Sequence, residues 1–333
     1  MTSLMRAHPI MSRLIHAVYG HIPPGLVEVE HASVQCSPQV PGAATLTELA
    51  LASCAHFVVH APASTVERRH VMALALRALV PEAPLTVLAA NDKGGTRLGA
   101  ELAAFGCIIG AASKRHHRII TTHRPVQPSG LDEAIAAGAV RLISELGLWS
   151  QPGLFNWDRI DPGSQLLLDH LSPFNGRGAD LGCGIGVLAR AVLSQNPGVH
   201  MTLIDIDQRA LSVARMNVPG DGVTTLWADV RTAKNLPAGL DFVVTNPPFH
   251  DAGAKDLALG TMFIQRAAAM LRPGGTLWLT ANRHLPYEAV LEPLFETVDQ
   301  VAQAKGFKIY AAKKASVSVK ATRLPRPSLK ARR

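Results

Sequence analysis

Cysteine is scarce in this sequence of 333 residues, which contains only Cys36, Cys54, Cys107 and Cys183. None of them forms a C-x-x-C pair, so no cysteine pair with the spacing of a zinc ligand set is present. The sequence therefore predicts neither a metal site nor a disulfide framework, and we expect four buried, reduced thiols.

Long hydrophobic runs are also absent. No segment approaches the roughly 18 uninterrupted apolar residues of a membrane-spanning helix. Arg6, Pro9 and Arg13 interrupt the N-terminus before the apolar centre of a signal peptide could form. We therefore expect a cytoplasmic protein with no membrane partner.

Charged residues make up only 17% of the chain, whereas 47% of it is hydrophobic. The length suggests about two domains, at roughly 100–200 residues each. The net charge of +8 arises entirely from the segment after Ala311, which has no acidic residue and contains Lys313, Lys314, Lys320, Arg323, Arg326, Lys330, Arg332 and Arg333. This composition predicts a disordered basic tail over 312–333. The tail either neutralises phosphates of a partner or only keeps the protein soluble.

In the second half of the chain, short apolar runs alternate with alanine- and leucine-rich stretches of helical spacing. The runs cover 178–189, 200–207, 222–229, 240–246 and 274–281, and the helical stretches include 187–195 and 208–217. Such alternation is typical of a parallel sheet covered on both faces. Residues 295–311 predict a hairpin around Lys305 and Gly306. We therefore expect an α/β fold with a seven-stranded, doubly wound, Rossmann-like sheet and an antiparallel edge hairpin.

The first half of the chain resembles the second at three collinear places. HFVVHAP at 56–62 matches DFVVTNP at 241–247, LTVLAAND at 85–92 resembles LWLTANRH at 277–284, and SKRHHRII at 113–120 corresponds to AKGFKIYA at 304–311. We therefore predict that residues 1 to about 145 are a degenerate second copy of the fold. In that copy, Ala61 stands where the C-terminal copy has Asn246, and residues 1–55 contain no glycine-rich turn. We therefore expect this copy to have a binding or structural role.

The segment GLWSQPG at 147–153 combines glycine and proline, which predicts a linker near 145–153. We therefore expect a degenerate domain over 1–148, an intact domain over 149–311 and the tail over 312–333.

The segment DLGCGIG at 180–186 follows a predicted strand and opens a predicted helix, where glycines let the backbone approach a ligand. Val187 stands where the dinucleotide-binding pattern requires its third glycine, which disfavours NAD. Asp205, at the end of the next strand, is placed to accept hydrogen bonds from a ribose, and Asp229 from the exocyclic amine of an adenine. These residues predict a nucleoside pocket. The alternative for Asp180 and Asp205 is to cap a helix or turn.

The segment DFVVTNPPFH at 241–250 ends a predicted strand at Thr245, because Pro247 and Pro248 lack ladder donors and hold the chain in a rigid corner. In this order and spacing, DLGCGIG, LIDID, WAD and NPPF resemble class I S-adenosylmethionine-dependent methyltransferases that act on exocyclic or amide nitrogens. FNWDRIDPGSQLLLDHL at 155–171, NPPFHD at 246–251 and ANRHLPY at 281–287 narrow the resemblance to the ribosomal small-subunit RNA guanine-N2 methyltransferase C family. It is specific over about 150–311, weak over 40–125 and absent in the tail.

The resemblance implies a degenerate N-terminal methyltransferase-like domain followed by a catalytic one, with S-adenosylmethionine as the cofactor. The implied methyl acceptor is a guanine N2 amine, and the implied partner of this expected monomer is ribosomal RNA or the small ribosomal subunit. Asp180 and the glycine turn would hold the amino-acid end of the cofactor, with Ser164 bordering its methionine moiety. The full implied cofactor set is Ser164, Asp180, Gly182, Gly184, Gly186, Asp205, Ile206, Asp229 and Asn246.

The implied catalytic residues are Asn246, Pro247, Pro248 and Phe249. A purine amine is a poor nucleophile, because its lone pair is delocalised into the ring. The Asn246 side-chain oxygen and the Pro247 carbonyl would accept hydrogen bonds from this amine, and Phe249 would stack on the base once it has left its helix or loop. The implied mechanism requires neither a metal nor His250.

Two same-chemistry alternatives remain, methylation of adenine N6 and methylation of a protein glutamine amide, since related N-P-P corners serve both. An alternative from another class is a non-catalytic RNA-binding or ribosome-assembly factor. The intact Asn246 argues against that class, because the degenerate copy, which is expected to lack the chemistry, has Ala61 at the corresponding position and so lacks the side-chain amide. In the catalytic interpretation, the N-terminal half and the basic tail would hold the RNA.

Overall fold

The computed structural model describes residues 14–248 and 254–316. Phe249, His250, the N-terminal segment up to residue 13, and residues 317–333 of the predicted tail lie outside these ranges. Within them, the chain forms two large α/β sheets and a separate two-stranded hairpin. The four cysteines are buried and unpaired, as expected. No helix in the described ranges has both the length and the apolarity needed to cross a membrane.

The N-terminal sheet has six strands in the order β2-β1-β3-β4-β6-β5. The first four are parallel, and β6 runs antiparallel to both β4 and β5. Its elements are β1 (Ile15–Tyr19), β2 (Val34–Gln35), β3 (Cys54–His60), α1 (Thr65–Ala78), β4 (Pro84–Ala90), α2 (Leu98–Ala103), β5 (Gly110–Lys114), β6 (His117–His123) and α3 (Leu131–Ala137).

A hairpin of β7 (Arg141–Ile143) and β8 (Leu148–Ser150) follows. The Asn217 side chain accepts a hydrogen bond from the Trp149 backbone N–H at 2.7 Å and donates one to the Trp149 carbonyl at 2.9 Å. Strand β8 is thereby attached to the C-terminal half. The predicted domain boundary at 148 falls inside this strand and stays a prediction.

The C-terminal sheet has seven strands in the order β11-β10-β9-β12-β13-β15-β14, and only its last two run antiparallel to their neighbours. Its elements are α4 (Pro162–Leu168), β9 (Arg177–Leu181), α5 (Val187–Gln195), β10 (His200–Asp205), α6 (Gln208–Asn217), β11 (Val223–Trp227), β12 (Leu240–Thr245), α7 (Ala254–Met270), β13 (Leu271–Asn282), α8 (Glu288–Leu291), β14 (Thr297–Ala304) and β15 (Phe307–Lys313). The predicted doubly wound sheet and its edge hairpin are confirmed.

The beginning of the predicted basic tail belongs to the fold. Strand β15 continues to Lys313, beyond the domain end predicted at 311. The ammonium group of Lys314 donates hydrogen bonds to the carbonyls of Ala268 and Leu271, at 2.7 and 2.9 Å. These contacts attach the chain to the end of helix α7 before it leaves the described residues.

The strand orders confirm that the first half repeats the fold of the second. The order β2-β1-β3-β4-β6-β5 corresponds to β10-β9-β12-β13-β15-β14, and no described N-terminal strand corresponds to β11. In the matching central strands, Phe57 lies opposite Ala17, and Phe242 lies opposite Gly178. Counting two residues onward from these pairs, Tyr19 stands where the C-terminal sheet has Asp180. The N-terminal copy has therefore lost this carboxylate as well as the asparagine.

Strand β12 is buried on both faces, as expected for a central parallel strand. Val243 belongs to the core beneath α7 and α8, whereas Phe242 and Val244 belong to the core beneath α4, α5 and α6. Phe242 stacks on Phe174 with ring centroids 4.3 Å apart, and a Cβ atom at Gly178 would lie only 2.2 Å from its ring. This packing fixes β9 against β12, so the carboxyl ends of both strands reach the same edge.

The two halves contact each other through a buried ion cluster. The Arg209 guanidinium, at the start of α6, pairs with Asp207 and with Glu67 of helix α1, each at 2.7 Å. Trp227 donates its indole N–H to the carbonyls of Pro38, at 3.1 Å, and Ile206, at 2.8 Å. The interface therefore adjoins the segment that follows strand β10.

Candidate active site

A small cavity of about 60 Å³ opens at the carboxyl edge of the C-terminal sheet. Pockets that enclose drug-sized ligands measure roughly 300–1,000 Å³, so this cavity can take only one end of a nucleoside-containing ligand. Asp205, Ile206 and Asp229 lie outside its walls, which include Asp161, Ser164, Asp180, Gly182, Gly184 and Asn246.

The glycine turn between β9 and α5 has a left-handed backbone at Gly182, Gly184 and Gly186, with φ of +76°, +52° and +85°. Residues other than glycine rarely adopt this backbone conformation. A Cβ at Gly182 would lie 3.1 Å from the Phe263 ring, whereas, among the described residues other than its two chain neighbours, no atom lies within 4 Å of a Cβ at Gly184. The turn therefore leaves open space next to the Gly184 backbone.

Asp180 is fully buried at the end of β9. One carboxyl oxygen accepts a hydrogen bond from the Ala189 N–H at 3.1 Å, and the other has no partner among the described residues. Burial raises the pKa of Asp180 to about 7, and the negative charge of Asp205 adds to this effect. One oxygen of Asp180 therefore caps α5, as the capping alternative predicts, and the other oxygen remains available to a donor.

Asp205 connects the end of β10 to the glycine turn. Its two oxygens accept hydrogen bonds from the backbone N–H groups of Gly184, at 2.8 Å, and Asp207, at 2.9 Å. Burial raises the pKa of Asp205 to about 6. A carboxylate offers about four acceptor positions, so Asp205 can stabilise the turn and still accept hydrogen bonds from a ribose.

Asp229 follows strand β11 and is paired with Arg231. The side chain and the backbone N–H of Arg231 donate to both of its oxygens at 2.8–3.0 Å. These hydrogen bonds lower the pKa of Asp229. An adenine amine at this position would have to share the carboxylate with the guanidinium.

Asn246 projects from the end of β12 towards the start of α4. Its side-chain N–H₂ donates to the Asp161 carboxylate at 2.9 Å and to the Ser164 hydroxyl at 2.8 Å. Its side-chain oxygen is buried and has no partner among the described residues. An unpaired buried acceptor costs about 1–3 kcal/mol, so this oxygen is available for a donor that the chain itself does not supply. Pro247, which follows, is buried, and Pro248 is partly buried.

Residues 145–311 match the family profile of the Methyltransferase small domain. The ribosomal RNA small subunit methyltransferase C of Shewanella loihica is 35% identical over 171 residues, which span 51% of this chain and 50% of that protein. The enzyme of the same name from Pseudomonas paraeruginosa is 32% identical over 243 residues, covering 72% of this chain and 73% of that protein. The chain belongs to the ribosomal RNA small subunit methyltransferase C family.

A solved structure of this family shares the fold over most of the chain. It is the 16S rRNA N2 methyltransferase of T. thermophilus in complex with AdoMet and guanosine, which matches with a TM-score of 0.68 at 26% identity, over 81% of this chain and 76% of that one. The match confirms the two-domain α/β fold of the family. The roles of individual site residues stay predictions.

Sequence reasoning missed Asp161, although it stands within the segment quoted for the family resemblance. Asp161 caps helix α4 by accepting the Ser164 N–H at 2.9 Å, and Pro162 occupies the first helical position. An aspartate followed by proline is a recognisable helix start. The local signal thus identifies the cap, but only the fold brings it to Asn246, 85 residues away.

The expected absence of a metal also stays a prediction. Among the described residues, one group of three potential ligands lies within 4.8 Å of one another, and it consists of His16, Glu30 and His56. This group belongs to the N-terminal half and includes none of the candidate-site residues.

Proposed function

We propose that this chain transfers the methyl group of S-adenosylmethionine to the exocyclic N2 amine of a guanine in small-subunit ribosomal RNA, in the cytoplasm. The observation that carries the proposal is the buried side-chain oxygen of Asn246, which lies beside the glycine turn and has no hydrogen-bond partner in the part of the chain that the structure describes. The relatives support the substrate, because they are named for the small-subunit RNA and the solved one holds AdoMet and guanosine. Adenine N6 and glutamine amides have no such support.

The site fits S-adenosylmethionine chemically. The free oxygen of Asp180 suits a cationic ammonium group, and the space at Gly184 admits a ligand close to the backbone. Asp205 ends the next strand, with Ile206 directly after it, and Asp229 follows the strand beyond. The residues that would hold the cofactor are those named from the sequence: Ser164, Asp180, Gly182, Gly184, Gly186, Asp205, Ile206, Asp229 and Asn246. When bound, the cofactor supplies an electrophilic sulfonium methyl group.

The chain's own contribution is to activate the amine. Asn246 would accept a hydrogen bond from the amine N–H, which favours a pyramidal nitrogen and stabilises the positive charge that develops on it. Pro247 and Pro248 keep the corner rigid, since their φ angles are fixed, and the Pro247 carbonyl would provide the second acceptor. Phe249, outside the described residues, would stack on the base. One preorganised hydrogen bond of this type contributes roughly 10²–10³-fold in rate.

Basic side chains at the hairpin tips support RNA as the partner. Lys114 and Arg118 are exposed at the N-terminal hairpin, and Arg283 and Lys305 are exposed at the C-terminal one. Because β13 ends and β15 begins at Asn282 and Phe307, the second tip lies at the same edge as Asn246. We therefore propose that residues 1–148 help to hold the RNA, that 149–311 perform catalysis, and that the segment from 312 adds phosphate contacts.

Nucleoside mass spectrometry of small-subunit RNA tests this proposal. RNA from cells that lack the gene should lose one N2-methylguanosine, and a plasmid copy of the gene should restore it. A copy with Asn246→Ala should not restore it, whereas Asn91→Ala should, because Asn91 is an exposed asparagine that follows β4 in the degenerate half. Loss of an N6-methyladenosine instead, or no change in any methylated guanosine, would refute the proposed substrate.

A further inference from the structure

We propose that Asp161 is a positioning residue that fixes which face of the Asn246 amide meets the substrate amine. This inference rests on the proposed function. An asparagine side chain can present either its oxygen or its N–H₂ group after a rotation of 180°, and only the oxygen can accept a hydrogen bond from the amine. A device that selects one of the two orientations is therefore needed.

Asp161 provides this selection because a carboxylate only accepts hydrogen bonds. One of its oxygens accepts from the Asn246 side chain, at 2.9 Å, and from the Ser164 backbone N–H, at 2.9 Å. Its other oxygen accepts from the Asn156 side chain at 3.1 Å. In the rotated amide, the Asn246 oxygen would face the carboxylate, so a hydrogen bond would be replaced by repulsion between two acceptors.

Ser164 cannot make the selection by itself. Its hydroxyl lies 2.8 Å from the same Asn246 nitrogen, but a hydroxyl can either accept or donate after a simple rotation. It would satisfy both orientations of the amide. Ser164 therefore supports the arrangement, and the Asp161 oxygen, which can only accept, decides it.

The position of Asp161 is itself fixed by the fold. The carbonyl of Gly163, in the first turn of α4, accepts a hydrogen bond from the buried Thr280 hydroxyl at 2.8 Å. A Cβ atom at Gly163 would lie 2.7 Å from the Phe307 ring, so this turn packs tightly against the sheet. These contacts fix the backbone of the turn that Asp161 caps, and the hydrogen bond from the Ser164 N–H holds the carboxylate at this turn, next to Asn246.

Asp161→Asn and Asp161→Ser test the inference together, because asparagine and serine cap helices about as well as aspartate. The same Asp161 oxygen serves Ser164 and Asn246, so the oxygen of the introduced amide can replace it at both donors and should keep the orientation of Asn246. The introduced serine hydroxyl lies closer to the backbone and can donate as well as accept, so it caps α4 without fixing Asn246. We expect Asp161→Asn to retain kcat within about threefold and Asp161→Ser to lower it about tenfold, as part of the loss of one preorganised hydrogen bond, with cofactor Kd changed less than about threefold in both. Asp169→Asn, at the exposed end of the same helix, serves as the matched control and should retain full activity.

The contrast between the two variants separates positioning from capping. Both variants keep the cap of α4, but only Asp161→Asn keeps an oxygen within reach of the Asn246 N–H₂ group. If Asp161 only caps α4, Asp161→Ser will match the wild type, and this result overturns the inference. A loss of kcat in Asp161→Asn as large as the loss in Asp161→Ser also overturns it, because the oxygen that faces Asn246 would then not be the determinant.

A measurement without turnover keeps this test independent of the proposed function. In the full-length protein labelled with ¹⁵N, nuclear Overhauser contacts from the Asn246 side-chain N–H₂ to the Ser164 side chain should be strong in the wild type and in Asp161→Asn, and weaker in Asp161→Ser. If they are equally strong in Asp161→Ser, the positioning role is wrong. If they weaken as expected but the wild type methylates no guanine, the proposed function fails and the positioning role stands.

Discussion

The buried carboxyl of Asp180 should make the protein less stable as the pH rises. Its pKa is about 7 in the folded chain, against about 3.9 for an unfolded aspartate. Because the folded state binds this proton more tightly, the stability that it contributes is complete below the unfolded pKa and is lost as the pH rises through about 7. At about 1.4 kcal/mol per pH unit, the part lost between pH 5.5 and 8.5 is about 2 kcal/mol.

Asp180→Asn removes this proton equilibrium and keeps an oxygen that can accept the Ala189 N–H. Relative to the wild type, the variant should therefore gain about 2 kcal/mol in free energy of unfolding between pH 5.5 and pH 8.5. Asp205, whose pKa is also raised, remains in both proteins, so its contribution largely cancels.

Urea unfolding followed by tryptophan fluorescence measures this difference in the correct part of the molecule. All four tryptophans, Trp149, Trp157, Trp227 and Trp278, lie at or after residue 149, where the C-terminal domain is predicted to begin. The reasoning is refuted if the difference in free energy of unfolding between Asp180→Asn and the wild type is the same at pH 5.5 and pH 8.5. It is also refuted if the variant becomes less stable relative to the wild type as the pH rises. By the proposed function, the same variant should bind S-adenosylmethionine more weakly, since its amide cannot attract an ammonium group as a carboxylate does.

Three further outcomes are expected. Asn246→Ala should lower kcat about 10²–10³-fold while calorimetric affinity for S-adenosylmethionine changes little, because the missing acceptor serves the substrate amine; comparable losses in both would contradict this role. Arg209→Leu should cost about 3–5 kcal/mol of stability, since Asp207 and Glu67 would be left as buried, unpaired carboxylates, whereas Arg272→Leu breaks an exposed pair with Asp241 and should cost less than about 1 kcal/mol in the same urea assay. Deleting 317–333 should weaken RNA binding and reduce the slope of log affinity against log salt; an unchanged slope would mean that the tail serves only solubility.

Local periodicity sufficed to predict much of the C-terminal half. The helical stretches predicted at 187–195 and 208–217 coincide with α5 and α6, and the hairpin turns at Lys305 and Gly306 as expected. These features depend on neighbours in the chain, on glycine at a positive φ, and on alternating apolar residues, all of which are visible in the sequence. The repeat was also visible, because the apolar strand HFVVHAP persisted after its chemistry was lost.

Contacts between distant segments were not predictable in this way. The local sequence identifies Asp161 as a helix cap, and its contact with Asn246 arises only when α4 packs against β13 and β15, beside the end of β12. The Arg209 cluster joins residues 142 positions apart, and no periodic pattern marks such a pair. Tyr19 became recognisable as the counterpart of Asp180 only from the strand register. The sequence therefore predicted the elements and the strand-end residues, whereas the partners that orient those residues depend on tertiary packing.

Methyl transfer with purified components tests the central claim most directly. The wild-type protein and Asn246→Ala would each be incubated with S-adenosylmethionine labelled in the methyl group and with small ribosomal subunits or their RNA lacking the modification, and the digested nucleosides would be separated by mass. We expect the label in N2-methylguanosine with the wild type, and at least 100-fold less of it with the variant, in line with the loss of one preorganised hydrogen bond. Label on any other atom, or equal transfer by both proteins, would contradict the claim that the Asn246 oxygen activates a guanine amine.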